Sequence, residues 1–324
     1  MAIKALKLEY DEKDETKVIF AGQLEFGTNR NFENVQSQYM HRMENFYKND
    51  ILLKPEDIFN EDDYTMDIPR TVVTATDRRY NNTVNLMERM SSFSMAGDLN
   101  IWRLNGDGKV IDHKLFEPRK DRTAAQLFLE GRKMLDQEDS MTEARELLTQ
   151  AIEKFERHAT AYERRGFTNY KLGNYKDALY DLSKSIRIYS SKPDTYYGRG
   201  LIYLLKEKNI DKAIEDFGMV AKYAIPHQPV YWQAKRMRSD AFYEAGRVEE
   251  AIRELTAFVS RKHKLAGLEK YDRLAAFKLG ELLEAKGEHE KASHAFKAAL
   301  EAPADKQAPE ESVIEEKLSV LQSA

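Results

Sequence analysis

A set of small and apolar residues recurs down the second half of this chain at a spacing near 34 residues, and that recurrence limits the fold more than any other property of the sequence. From Gly166, Gly173 lies seven positions on, Ala178 twelve, Leu182 sixteen and Ser185 nineteen. The frame restarts at Ser239 (Gly246, Ala251, Leu255, Phe258) and at Gly280 (Gly287, Ala292, Phe296, Ala299). From Gly200 it runs through Ala213, Phe217 and Val220, shifted by one inserted residue, and a looser copy starts at Gly131 with Ala144, Leu148 and Ala151. A longer insertion falls around Arg261–Lys270. Each copy predicts two helices joined by a tight turn. The small first residue lets the helices approach, and Gly173, Gly246 and Gly287 suit a left-handed helix end. The frame alanine keeps the facing helix close, and the large residue four further on fills the space between copies. Pro193 and Pro226 punctuate the copy ends.

These positions closely resemble the tetratricopeptide repeat, over about residues 124–306 in five copies. The resemblance implies an all-α solenoid, with 307–324 as a capping helix whose apolar face is expected at Val313, Leu318 and Leu321. Arg165, Arg199 and Arg238 each precede the small anchor residue, and Asp181, Asp216 and Glu254 each follow the frame alanine by three. A column of arginines awaiting an anion is one reading. Intra-repeat pairs tying the first helix of a copy to its second is the reading adopted, because each arginine has its acid in the same frame. In the resembled family the concave face is lined by the first helix of each copy. Here that face carries Phe128, Arg132 and Leu135, then Glu163, Phe167, Tyr170 and Lys171. Tyr197, Leu201, Arg236, Asp240 and Tyr243 continue it, and Phe277, Glu281 and Glu284 end it. Aromatics with charges of both signs suit an extended peptide or a helix of a partner protein. Some family members clamp a C-terminal carboxylate with Lys and Asn; Phe128, Arg132 and Glu163 stand in those places here, so a different peptide is expected.

Residues 1–118 have another character. They carry 15 basic and 21 acidic side chains, whereas residues 119–324 carry 36 and 34. The segment Glu117-Pro118-Arg119-Lys120-Asp121-Arg122 sits at the change, so 119–123 is expected to be a linker. Strand-like runs are Lys17–Phe26, Ile51–Leu53, Thr71–Thr76, Leu99–Leu104 and Lys109–Phe116, the last two joined by the turn Asn105-Gly106-Asp107-Gly108. Helical spacing marks Asn31–Lys48 and Tyr80–Phe93. The order β-α-β-β-α-β plus one strand predicts a small α+β domain with a ferredoxin-like sheet. Its expected role is docking or self-association. Ile19-Phe20-Ala21-Gly22-Gln23-Leu24 resembles the first-strand motif of RNA-recognition domains, in which an aromatic stacks on a base. The basic-Gly-aromatic second motif is missing and the domain is acidic, so nucleic acid is not an expected partner.

With no cysteine, disulfides, thiolate zinc sites and a Cys nucleophile are excluded. Arg103 and Lys114 stand where a calcium loop around Gly108 needs carboxylates, and no phosphate loop is present. Asp216-Phe217-Gly218 spells a kinase motif inside a repeat helix, and the seven histidines are scattered. No apolar run approaches the length of a membrane span, and Met1 to Asp14 does not have the pattern of a signal peptide. The expectation is therefore a cytoplasmic, non-enzymatic interaction scaffold without cofactor or metal. A structural subunit of a large assembly and an RNA-associated factor using the sheet at Phe20 are the alternatives.

Overall fold

The computed structural model describes residues 15–119, 123–262, 265–303 and 308–323. Met1 to Asp14 and most of the expected linker lie outside them. The chain falls into two compact units that divide between Thr168 and Asn169.

The first unit is built on β1 (Thr16–Glu25), which pairs antiparallel with both β3 (Thr65–Ala75) and β4 (Ala96–Leu104). The two-residue β2 (Phe59–Asn60) extends the sheet past β3, and β5 (Val110–Phe116) extends it past β4, in the order β2-β3-β1-β4-β5. Helices α1 (Asn29–Asn45) and α3 (Asp77–Ser91) begin at threonines, with Thr28 Oγ1 accepting from the Asn31 N–H and Thr76 Oγ1 from the Arg79 N–H. Alternate residues of β1 (Val18, Phe20, Leu24) share one core with Phe32, Val35 and Tyr39 of α1 and Leu86, Met87 and Met90 of α3. Both helices therefore lie on one face of the sheet. Phe20 is on that face and fully buried, so it cannot stack on a base, and the RNA alternative loses its aromatic.

Ile51–Leu53 was expected as a strand and is not one. Three of its backbone groups are taken by side chains. The Ile51 carbonyl accepts from Arg79, the Leu52 N–H donates to Thr83 Oγ1 and the Leu53 carbonyl accepts from the Tyr39 hydroxyl. A group bonded to a side chain is not available to a ladder. Pro55 then opens the single turn α2 (Pro55–Ile58), and the second strand follows it. β3 starts six residues before the expected Thr71, and its Pro69 falls where the register with β1 shifts between Phe20 and Gly22. A bulge is where a strand tolerates a residue without an N–H.

The first unit also contains α4 (Thr123–Met134) and α5 (Met141–Lys154), and α6 (Ala159–Lys171) runs across the division. Arg157, between α5 and α6, donates to both carboxylate oxygens of Glu25 (3.1 Å each) and lies 3.2 Å from Asp63. Glu25 is buried at the end of β1, and that burial raises its carboxyl to about 7 against the pull of Arg157.

The second unit holds α7 (Tyr175–Ile188), α8 (Pro193–Ile202), α9 (Ile210–Tyr223), α10 (Pro229–Glu244), α11 (Val248–Val259), α12 (Asp272–Ala285), α13 (His289–Glu301) and α14 (Glu311–Ser323). Each packs on the next. The frame alanines Ala178, Ala213, Ala251 and Ala292 are fully buried at these contacts. Gly173, Gly246 and Gly287 have φ of 81°, 73° and 78°, as helix ends of this kind require. In the copy with the inserted residue, a π-helical turn at Tyr203–Glu207 absorbs it, and Lys208 takes the left-handed position at φ 54°. The capping helix buries Ile314 and Leu318, while Val313 is exposed. Among the described residues no helix is long and apolar enough to cross a membrane.

Candidate functional site

The bonds that the frame arginines and acids make limit what the repeat face can offer. Arg199 grips Asp216 with both arms of its fork, Nε to Oδ2 at 2.9 Å and Nη2 to Oδ1 at 2.8 Å, and its Nη1 reaches Ser183 Oγ at 3.3 Å. Burial raises the Asp216 carboxyl above the usual range even though Arg199 pulls it down. Arg238 bonds Glu254, which also accepts from Lys235 Nζ at 3.0 Å. Arg165 donates to Thr149 Oγ1 (3.1 Å) and lies over the Tyr162 ring, and Asp181 accepts from Asn169 (3.0 Å). Arg199 and Arg238 thus join the first helix of their repeat to the second, with their charged ends engaged.

The expected groove residues fall into three environments. Arg132 forks onto Glu117 (2.5 and 3.3 Å) above the Phe128 ring, beside a cavity of about 630 Å³ that Pro118, Leu129 and Arg164 help to line. Phe167 is half-buried and Lys171 exposed. In the second unit, the Tyr170 ring stands 5.8 Å from that of Tyr175, and Tyr197 lies 6.0 Å from Phe217. Burial raises the Tyr197 hydroxyl to about 12; the Arg236 guanidinium opposes this, while Tyr271 and Tyr170 add to it. Arg236 stacks over Tyr271 at 4.5 Å. Leu201 is half-buried against the core of its repeat. Tyr197 and Leu201 therefore pack between repeats more than they face outward.

Asp240 and Tyr243 are placed differently. Both line a cavity of about 590 Å³ walled by α10, α11, α12 and α14. Its floor is apolar (Val248, Leu255, Leu282, Ala285), and Tyr243 stands at it 59% exposed. Two ion pairs span it, Lys278 Nζ to Asp240 at 2.7 Å and Lys317 Nζ to Glu284 at 2.7 Å, and the Glu281 carboxylate lies close enough to act on Lys317. An apolar floor framed by both charge signs can hold an apolar side chain and orient the polar groups around it.

Sequence reasoning placed Asp240, Tyr243, Glu281 and Glu284 on this face and missed Lys278, Leu282, Lys317 and Tyr271. Tyr271 lies at the end of the insertion and Lys317 in the capping helix, so neither belongs to the frame that was read. Among the described residues no three His, Asp or Glu side chains gather as metal ligands would.

The tetratricopeptide-repeat family models match residues 128–193, 201–261 and 275–306. Solved structures similar to this chain include YrrB, a tetratricopeptide-repeat protein with an unusual peptide-binding site. It is 21% identical over 54% of this chain and 82% of its own, with a TM-score of 0.45. MamA from Desulfovibrio magneticus RS-1 is 19% identical over 55% of this chain and 94% of its own (TM-score 0.46). PilF of Pseudomonas aeruginosa is 12% identical over 62% and 90% (TM-score 0.49). No curated protein matches the chain.

Proposed function

Since the helical part of this chain belongs to the tetratricopeptide-repeat family, we propose that the protein is a non-enzymatic interaction scaffold. Its repeats, residues 124–306 with a cap at 307–324, hold a peptide or helix of a partner protein. Its sheet domain, residues 1–118 joined through 119–123, docks to an assembly or to itself. The observation that carries the first part is the cavity between α10 and α12. It is the place where expected groove residues, an apolar floor and exposed aromatic surface coincide. The partner segment would seat an apolar or aromatic anchor beside Tyr243 and set polar groups against the Asp240–Lys278 and Glu284–Lys317 pairs.

Selection from a displayed peptide library on the full chain tests this. Peptides enriched on the wild type should lose about tenfold or more in affinity on Tyr243→Ala, the loss of one well-placed aromatic anchor. Tyr243 is exposed, so its truncation leaves the fold intact. Selected peptides that bind Tyr243→Ala and Tyr170→Ala as tightly as wild type would remove the repeat face as the binding surface.

A further inference from the structure

β5 is one edge of the sheet. β4 pairs with one side of it, and among the described residues no strand pairs with the other. Such an edge presents a row of N–H and C=O groups ready for another strand, and proteins usually guard it with proline or with charge. Here the strand Val110-Ile111-Asp112-His113-Lys114-Leu115-Phe116 contains no proline; it is in regular register with β4 from Asp112 to Phe116, with a bulge at Ile111, and its charges are arranged symmetrically. Read from either end it runs apolar, apolar, charged, His, charged, apolar, apolar, and the two charges have opposite sign. Ile111 and Leu115 are 53% and 50% exposed, large side chains left in water on either side of His113.

An antiparallel pair of identical strands has a two-fold axis, and the residue on the axis fixes every other pairing. With His113 on the axis, Asp112 stands opposite Lys114 of the second chain and Lys114 opposite its Asp112, all within the regular stretch of β5, and Leu115 is brought next to the bulged Ile111 of the second chain. Both charges of each strand then meet their opposites, and the exposed Ile111 and Leu115 of the two chains are brought to the same side of the pair. The centre of the strand is already held in place. His113 is stacked parallel on Trp102 at 5.2 Å and donates from Nε2 to Asn100 Oδ1 at 3.0 Å. Asp112 accepts from the Tyr80 hydroxyl at 2.8 Å and lies 3.2 Å from Lys114 Nζ of its own strand.

We propose that β5 pairs antiparallel with β5 of a second copy of this chain, in the register that sets His113 on the axis and Asp112 against Lys114. The proposal rests on the reading that the sheet domain self-associates, and it names the strand and the residues that do so. The symmetry of the strand is what selects a second copy over an unrelated extended peptide, which has no reason to match it.

Sedimentation velocity on the full chain over a concentration series tests it, with wild type, Asp112→Lys, Lys114→Asp and the double exchange. Wild type should dimerise. Each single change puts like charges opposite one another at two symmetry-related places, and should weaken the dimer about tenfold or more. The double exchange restores opposite charges in this register and should restore the dimer, although it lacks the Tyr80–Asp112 bond as Asp112→Lys does. Ile111→Ser with Leu115→Ser, at exposed positions, should also weaken it. A double exchange as weak as the singles overturns the register, and so does a dimer indifferent to every β5 variant, which leaves self-association through another surface. A wild type that stays monomeric throughout overturns both the pairing and the self-association reading, while peptide binding by the repeats is measured independently of either.

Discussion

The repeat built from α8 and α9 and the repeat built from α12 and α13 share one frame and join their helices in opposite ways. In the first, Arg199 and Asp216 meet as a two-armed ion pair with the Asp216 side chain nearly buried. In the second, Leu279 and Ala295 occupy the same frame positions and sit together in an apolar cluster. The frame therefore demands contact at this point and leaves its chemistry free. Exchange of a buried pair for apolar groups of fitting shape is near neutral, whereas loss of one partner alone is costly.

The comparison can be broken by a substitution that strands the acid. Arg199→Ala leaves Asp216 buried without its fork, and should cost about 3 kcal/mol in urea unfolding. The double change Arg199→Leu with Asp216→Ala copies the α12–α13 solution and should recover most of that loss. Arg238→Ala should cost less than Arg199→Ala, because Lys235 still holds Glu254 at 3.0 Å. If the double variant is no more stable than the single, the two repeats are not interchangeable and the comparison is wrong.

A second contrast concerns volume. A Cβ on Gly280 would lie 2.6 Å from the Phe296 ring and one on Gly200 2.8 Å from Phe217, whereas the repeat of α10 and α11 has Ser239 with Leu255 in the same two frame places. In these three repeats glycine stands against phenylalanine and serine against the smaller leucine, whereas Gly131 and Gly166 keep glycine against Leu148 and Leu182, so phenylalanine requires the glycine but leucine does not exclude it. Gly280→Ser should destabilise by about 2 kcal/mol through overpacking, and Phe296→Leu in the same chain should return part of it. Thermal unfolding of the two variants and their combination measures the coupling. Simple additivity would mean that the residue pair is coincidental.

These contrasts are legible in the sequence because a repeat's contacts are close along the chain and recur. The sheet was harder to read. Its outline, four of the five strands and two main helices, shows in the alternation of Val18 to Leu24 and the spacing of Val84, Met87 and Met90, but β1 finds its partners at Thr65–Ala75 and Ala96–Leu104 and the two-residue β2 carries no pattern of its own. Whether Ile51–Leu53 forms a strand is decided by Tyr39, Arg79 and Thr83, which claim its backbone and belong to other elements. The cavity in the repeats is legible for the half that α10 and α12 contribute in frame. Lys317 comes from the cap, where no period points to it. Local rules fail where side chains from one element decide the backbone or the charge of another.

The smallest effect sharpens the repeat comparison most directly, because it touches nothing but the backbone. Gly173, Gly246 and Gly287 end the first helix of their repeats at positive φ, and the α8–α9 repeat places Lys208 there at φ 54°. A side chain in that conformation costs about 1 kcal/mol, which glycine avoids. The inserted residue has moved the helix end by one position through the π-helical turn at Tyr203–Glu207, so Lys208 is the geometric counterpart of the glycines although it is out of step with them in sequence. Lys208→Gly should then stabilise the chain by about 1 kcal/mol, whereas Gly246→Lys should destabilise it by a similar amount. Urea unfolding of the two variants gives both signs. A destabilising Lys208→Gly would mean that the lysine side chain contributes more than its strain, through its stem or its charge, and that the π-helical turn does not simply restore the frame.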